Sequence, residues 1–264
     1  MRLSRRTLLL GAPAALSAQV EPVRLIAHRG GVVDARRAEN SRAAVEEALK
    51  RGYWMIEVDI WRTRDGHPVL HHDTTLRRYY GDDRRVADLS WDELRGLRAN
   101  TDGSAPIDFE TVCAMVSGRA RLMLDVKGGA HPDEFYARIE QSLTRHGLLR
   151  DTFTLGADRM KPRFWGKIWM STDRKGLRAA AGRGEAVDRH YFLFELGRLL
   201  DAEAVGLCSE KGVTPVAALN TFRYHEEGVD DRQGAERDVR KLLGLGVRHF
   251  QIDSVYEDLF PRAG

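Results

Sequence analysis

A TIM-type (β/α)8 barrel is the fold this sequence predicts, and three observations carry that expectation. Eight short apolar runs with strand character recur along the chain, at Val23–Ala27, Met55–Ile60, Leu122–Val126, Thr152–Leu155, Ile168–Ser171, Tyr191–Phe194, Pro215–Leu219 and Val247–Ile252. Segments between them, such as Pro132–His146, Ala202–Lys211 and Gly234–Leu243, have the spacing of amphipathic helices. No Gly-rich dinucleotide loop follows the first run, which sets aside a doubly wound open sheet. With 264 residues, 42% of them apolar, the chain has enough material for one large α/β domain over residues 19–264.

Taken in order, the first run ends at His28, and Gly30-Gly31 permits a sharp turn after it. Residues 41–50 read as an amphipathic helix, with Asn40 or Ser41 as its N-cap. From Tyr53 to Trp61 the pattern alternates, so Glu57 and Asp59 share one face while Ile56, Val58 and Ile60 occupy the other. Pro68-Val69-Leu70 forms a further apolar run that ends at His71-His72-Asp73. A helical excursion is expected between the second and third barrel strands, with a capping-box signal at Ser90 and Glu93 and a second helix start near Asp108. The strand through Leu124 and Asp125 ends in the turn Gly128-Gly129.

Chemistry concentrates between Ile26 and Asp73. Two carboxylates on the inner face of a barrel strand are costly as bare charges, and a bound cation offsets that cost. Oxygen donors of this kind suit Mg²⁺ or Ca²⁺. His28 and His72 close strand-like runs on either side of the Glu57-Val58-Asp59 strand, where imidazoles titrating near neutrality suit general acid and base work. Arg29 offers a fork for phosphate oxygens, with a surface ion pair as the plainer reading. Arg77, Arg78, Arg84 and Arg85 either steer an anion or simply solvate their loop. Phe164, Trp165 and Trp169 read as packing more than as a wall for a lipid head group.

Ala27-His28-Arg29-Gly30, Glu39-Asn40-Ser41, Glu57-Val58-Asp59 and His72-Asp73 stand in an order that resembles the glycerophosphodiester phosphodiesterase family. The resemblance is dense over the first half of the chain and thin after Lys127. It implies the same barrel, a metal held by Glu57, Asp59 and Asp125, and catalysis by His28 and His72, with His71 left to the pocket wall or to packing. It also implies that Arg29, Glu39, Asn40 and Lys127 line the substrate site. The implied reaction is metal-dependent cleavage of a glycerophosphodiester to glycerol 3-phosphate and an alcohol, with a small glycerophosphodiester or a lysophospholipid as substrate.

One position departs from the pattern. Family members usually carry Glu-x-Lys where this chain has Asp125-Val126-Lys127. An aspartate there is similar to the arrangement in sphingomyelinase D-type lyases, which release a cyclic phosphate. That leaves a phospholipid lyase as the second reading and a silent phosphoryl-binding barrel as the third.

The first 18 residues read as an export signal, with paired arginines at Arg5-Arg6, an apolar Leu8-Leu9-Leu10 run and small residues after it. The run is too short for a stable membrane anchor, and a periplasmic or extracellular bacterial location follows as the expectation. Removing Arg2, Arg5 and Arg6 with the leader leaves 39 basic against 39 acidic side chains, so charge supplies no argument for nucleic acid binding. Cys113 and Cys208, far apart in sequence, are expected as separate buried thiols.

Overall fold

In the computed structural model, residues 21–226 and 228–261 are described, and the leader lies outside them. Nine strands form the sheet: β1 (Arg24–Ala27), β2 (Met55–Arg62), β3 (Pro68–Leu70), β4 (Arg121–Val126), β5 (Phe153–Thr154), β6 (Trp169–Thr172), β7 (Tyr191–Leu196), β8 (Thr214–Leu219) and β9 (His249–Ile252). Eight of them run parallel in the order β1-β9-β8-β7-β6-β5-β4-β2, and a β1–β2 pairing closes the ring. All eight predicted runs are barrel strands. The remaining strand, β3, pairs antiparallel on β2 and turns the chain back to present His71 and His72 at the mouth.

Alternation along each strand divides the core in two. Ile56, Val58, Ile60, Leu122, Leu124, Phe250 and Ile252 face outward into the main cluster beneath the helices. Ile26, Met55, Met123, Phe153, Phe192 and Val216 face inward and fill the barrel with a dry layer. One interior step toward the strand C-termini stand His28, Glu57, Asp125 and Asp253.

The excursion between β2 and β4 has its own small core of Val69, Leu76, Val86, Leu89 and Leu94. Ser90 and Glu93 form the capping box the sequence predicts, and Asp108 caps the helix Phe109–Val116. The first helix runs Arg42–Arg51, and Ser41 is its N-cap, with Oγ accepting from Ala44 N. Asn40 is not the cap; its side chain is turned toward β2 instead.

Candidate active site

Strand register builds the carboxylate cluster. β2 and β4 pair Asp59 with Asp125 as direct neighbours, and Glu57 lies one interior step earlier on β2. Oxygens of Glu57, Asp59 and Asp125 lie within 4.8 Å of one another. Glu57 and Asp59 are each only 1% exposed, a depth at which an ionised carboxylate needs a partner. Lys127 supplies one, its Nζ standing 2.8 Å from Asp59 Oδ1 and 2.6 Å from Asp125 Oδ2. Burial works against the Lys127 ammonium, but Asp59 and Asp125 outweigh it and raise its pKa. Glu57 fares differently: burial, then the charges of Asp59 and Asp125, push its carboxyl well above the ordinary range.

Two residues in the left-handed region hold this cluster from the side. Arg29 (φ 55°) points its backbone N–H at Glu57 Oε2, 2.7 Å away. Asn40 (φ 53°) grips Asp59 twice, donating Nδ2 to Oδ2 at 2.8 Å and accepting from the Asp59 N–H at 3.2 Å. A non-glycine residue in this region costs on the order of 1–3 kcal/mol, less for Asn, and such strain concentrates at functional sites. Gly30 makes the arrangement possible, because a Cβ there would lie 2.7 Å from Asn40 Cα. Asn40 N in turn donates to Arg29 O at 2.8 Å, so the two loops support each other.

Each predicted catalytic histidine is oriented by an aspartate. His28 Nδ1 lies 2.6 Å from Asp253 Oδ1, and the other oxygen of Asp253 accepts from Thr221 N at 2.7 Å and Thr221 Oγ1 at 2.8 Å. Burial works to raise the Asp253 pKa, yet these hydrogen bonds hold it below its usual value. His72 Nδ1 lies 2.8 Å from Asp73 Oδ1. An ionised carboxylate only accepts, so both imidazoles carry their proton on Nδ1 and keep Nε2 for chemistry. His71 is different: it is buried, its Nε2 meets Thr75 O at 3.0 Å, and burial lowers its pKa. It packs, as expected.

Arg29 and Glu39 meet at 2.9 Å, and Glu39 also binds Arg78. A cavity of about 270 Å³ opens beside these residues, lined by His28, Arg29, Arg78, Tyr79, Phe222 and Asp253 among others. Glu39, His72 and Asp73 form a second cluster of possible ligands, but the Arg78 guanidinium already occupies it.

A sequence profile of the Glycerophosphoryl diester phosphodiesterase family matches residues 28–128. The similarity to that family lies in this segment. Human glycerophosphodiester phosphodiesterase 1 is 37% identical over 115 residues, which cover 40% of this chain and 34% of that protein. The chain thus spans about a third of the length of the curated relatives it matches first. A glycerophosphoryl diester phosphodiesterase from Parabacteroides distasonis shares the fold with a TM-score of 0.71 at 19% identity, covering 94% of this chain and 90% of that one. An Oleispira antarctica phosphodiesterase, solved with the product sn-glycerol-3-phosphate, gives 0.68 at 20% identity over 89% and 96% of the two chains.

The family pattern accounts for most of the mouth. His28, Arg29, Glu39, Asn40, Glu57, Asp59, His72, Asp125 and Lys127 all lie in the matched segment, and the barrel brings them to one end. The cluster fits a divalent cation on its own chemistry. Three carboxyl groups share one ammonium, the donors are hard oxygens, and an ionised Glu57 beside Asp59 and Asp125 calls for more positive charge than Lys127 supplies. Asp125, though one methylene shorter than the usual glutamate, still reaches both its neighbours and Lys127.

Asp253 and Thr221 lie beyond the matched segment. The sequence places Asp253 at the site end of the last strand but gives it no role, because a lone aspartate after a strand carries no signal of its own. Among the basic residues of the excursion, Arg77, Arg84 and Arg85 pair with Asp83, Asp82 and Asp88 on the exposed surface, which is the solvated-loop reading. Phe164 is fully buried in the main core, Trp169 packs on the inner cluster and Trp165 lies tilted against His190, so the three form no wall at the site. Cys113 and Cys208 are separate buried thiols. Among the described residues no helix is long and apolar enough to cross a membrane.

Proposed function

We propose that this chain hydrolyses glycerophosphodiesters to glycerol 3-phosphate and an alcohol, using a divalent cation held by Glu57, Asp59 and Asp125. The observation that carries the reading is the pair of aspartate-oriented imidazoles, His28 and His72, standing at the same barrel mouth as the buried carboxylate cluster. A bound Mg²⁺ or Ca²⁺ would polarise a phosphoryl oxygen and balance the charge that develops there. The Oleispira antarctica phosphodiesterase, with its glycerol phosphate product, supports the choice of substrate class.

The chain's own residues then do the following work. One imidazole takes a proton at Nε2 from the attacking water as its oxygen bonds to phosphorus, and the other, starting doubly protonated, gives its Nε2 proton to the alkoxide as the P–O bond to the alcohol breaks. Asp253 and Asp73 stabilise whichever ring is cationic at each stage. Arg29 faces the phosphate, and its Nε is a buried donor without a hydrogen-bond partner, which a substrate oxygen would satisfy. Lys127 pairs with Asp59 and Asp125 and adds a positive charge beside the phosphoryl group. Phe222, with Val33 and Val255, gives the cavity an apolar side for the glycerol carbons or for the start of a lysophospholipid chain.

Phosphorus NMR of products from glycerophosphocholine and lysophosphatidylcholine, each with Mg²⁺ or Ca²⁺, tests the proposal. Glycerol 3-phosphate from the first is the expected product, and lysophosphatidic acid from the second would extend the range to lysophospholipids. A cyclic phosphate that accumulates as the stable end product would replace hydrolysis by the lyase reading. No product from either would leave a barrel that only binds. Export through residues 1–18 is part of the same proposal, and N-terminal sequencing of the mature protein checks it.

A further inference from the structure

Arg78 belongs to the short helix Arg77–Tyr80 of the excursion, not to a barrel strand, yet it reaches the mouth. Its guanidinium makes two pairs of hydrogen bonds. Nε and Nη2 donate to Asp73 at 2.7 and 2.9 Å, and Nη2 and Nη1 donate to Glu39 at 2.5 and 3.1 Å. Asp73 is the carboxylate that orients His72, and Glu39 is the carboxylate that holds Arg29. The chain of contacts therefore runs His72–Asp73–Arg78–Glu39–Arg29, with one guanidinium at its centre.

We infer that Arg78 is a positioning residue, which fixes the His72 ring through Asp73 and sets it in register with Arg29 through Glu39. Three features support this. The fork is planar and nearly saturated by carboxylates, so it is not a free phosphate binder. Glu39 has only 4% of its side chain exposed and takes two hydrogen bonds from Arg78. Asp73 and His72 are each about a third exposed at the side chain, so the hydrogen bond that orients the ring depends on how firmly Arg78 holds Asp73. Lysine cannot replace the fork, because a single ammonium does not span two carboxylates in a plane.

The turnover arm of the test rests on the hydrolase reading above; the spectroscopic arm does not. Arg78→Ala should lower kcat on glycerophosphocholine roughly 10- to 100-fold, as expected for a misplaced catalytic group, with KM changed less than about twofold. Arg78→Lys should recover only part of the loss. In a His72→Ala background, Arg78→Ala should cause a much smaller fall, since the ring it positions is gone and only the path through Glu39 to Arg29 remains. Histidine ring ¹⁵N NMR should show His72 protonated on Nδ1 in the unaltered protein and averaged between tautomers in Arg78→Ala.

An unchanged His72 tautomer in Arg78→Ala overturns the inference. So does a KM rise at constant kcat, which would make Arg78 a substrate contact, or an equal fall in both backgrounds. If the unaltered protein turns over no diester, the hydrolase reading fails and the ring spectra alone decide the role of Arg78.

Discussion

Asp253 holds His28 across 225 residues of sequence, with Oδ1 2.6 Å from Nδ1. The contact exists because β1 lies between β2 and β9 and the register pairs Ala27 with both Ile56 and Ile252. His28, Glu57 and Asp253 each lie one residue beyond those pairs, so closing the ring sets the imidazole, the buried carboxyl and the orienting acid side by side. Replacing Asp253 by Asn keeps the shape but lets the ring take the wrong tautomer. Turnover should fall by roughly 10²–10⁴ while the thermal midpoint moves little. Steady-state rates and calorimetry on the same sample check this, and turnover within a few-fold of the unaltered protein would remove Asp253 from the mechanism.

Burial and the charges of Asp59 and Asp125 push the Glu57 carboxyl up, and a bound cation would act in the opposite direction. In chelator, Glu57→Gln removes a buried, poorly compensated carboxylate and should leave the thermal midpoint unchanged or a few degrees higher. Added Mg²⁺ or Ca²⁺ should raise the midpoint of the unaltered protein but not of the variant, and activity should vanish. Full turnover in excess chelator would sink the metal assignment.

The adjacent histidines separate by role. His72→Ala should cost roughly a hundredfold or more in turnover with little change in stability. His71→Ala should spare most activity yet cost about 2 kcal/mol or more, because it leaves a cavity and an unpaired Thr75 carbonyl. The sign of the pH effect follows from burial, which holds the His71 pKa below 6.5 in the folded state. As pH falls through 6.5 the unfolded chain takes up a proton that the folded chain refuses, so stability declines toward acid. Urea midpoints measured across that window should show a flatter profile for His71→Ala.

Gly30→Ala tests the strained loop. Its φ of +79° disfavours any side chain, and the new Cβ would press on Asn40 Cα. Relief requires Asn40 to move off Asp59, so both stability and turnover should drop. Alanine at Gly103 (φ +70°), where a Cβ meets open space, serves as the control and should cost only the backbone strain of roughly 1 kcal/mol. Equal losses at the two positions would mean that the Gly30–Asn40 contact does not matter.

Asp125→Glu lengthens the third ligand to the commoner family residue. The pair Asp125–Lys127 would have to rearrange, so metal titrations of turnover should show a modest loss of affinity with the hydrolysis product kept. Abolished cation binding would show a site built around the shorter arm.

Much of this protein was legible in order along the chain. Period-two alternation marked Glu57 and Asp59 as inward neighbours, apolar runs marked all eight barrel strands, and the spacing of His28, Glu57, Asp59 and His72 pointed to one kind of chemistry. These features are local, so propensity and side-chain periodicity suffice to expose them. Asn40 was readable as a polar residue before a helix but not as the clamp on Asp59, since that role depends on a left-handed backbone and on how two loops pack.

Asp253 with Thr221, and Arg78 with Asp73 and Glu39, belong to the tertiary structure alone. Neither arrangement has a sequence period, because each joins residues whose separation along the chain is arbitrary. Barrel closure brings the last strand against the first, and docking of the excursion lowers Arg78 into the mouth. The sequence by itself determined which strands form and which acids face inward. The closed sheet decided which carboxylate holds which histidine, because hydrogen-bond partners at 3 Å are chosen by strand register and loop docking, and those are settled only when the whole chain is packed.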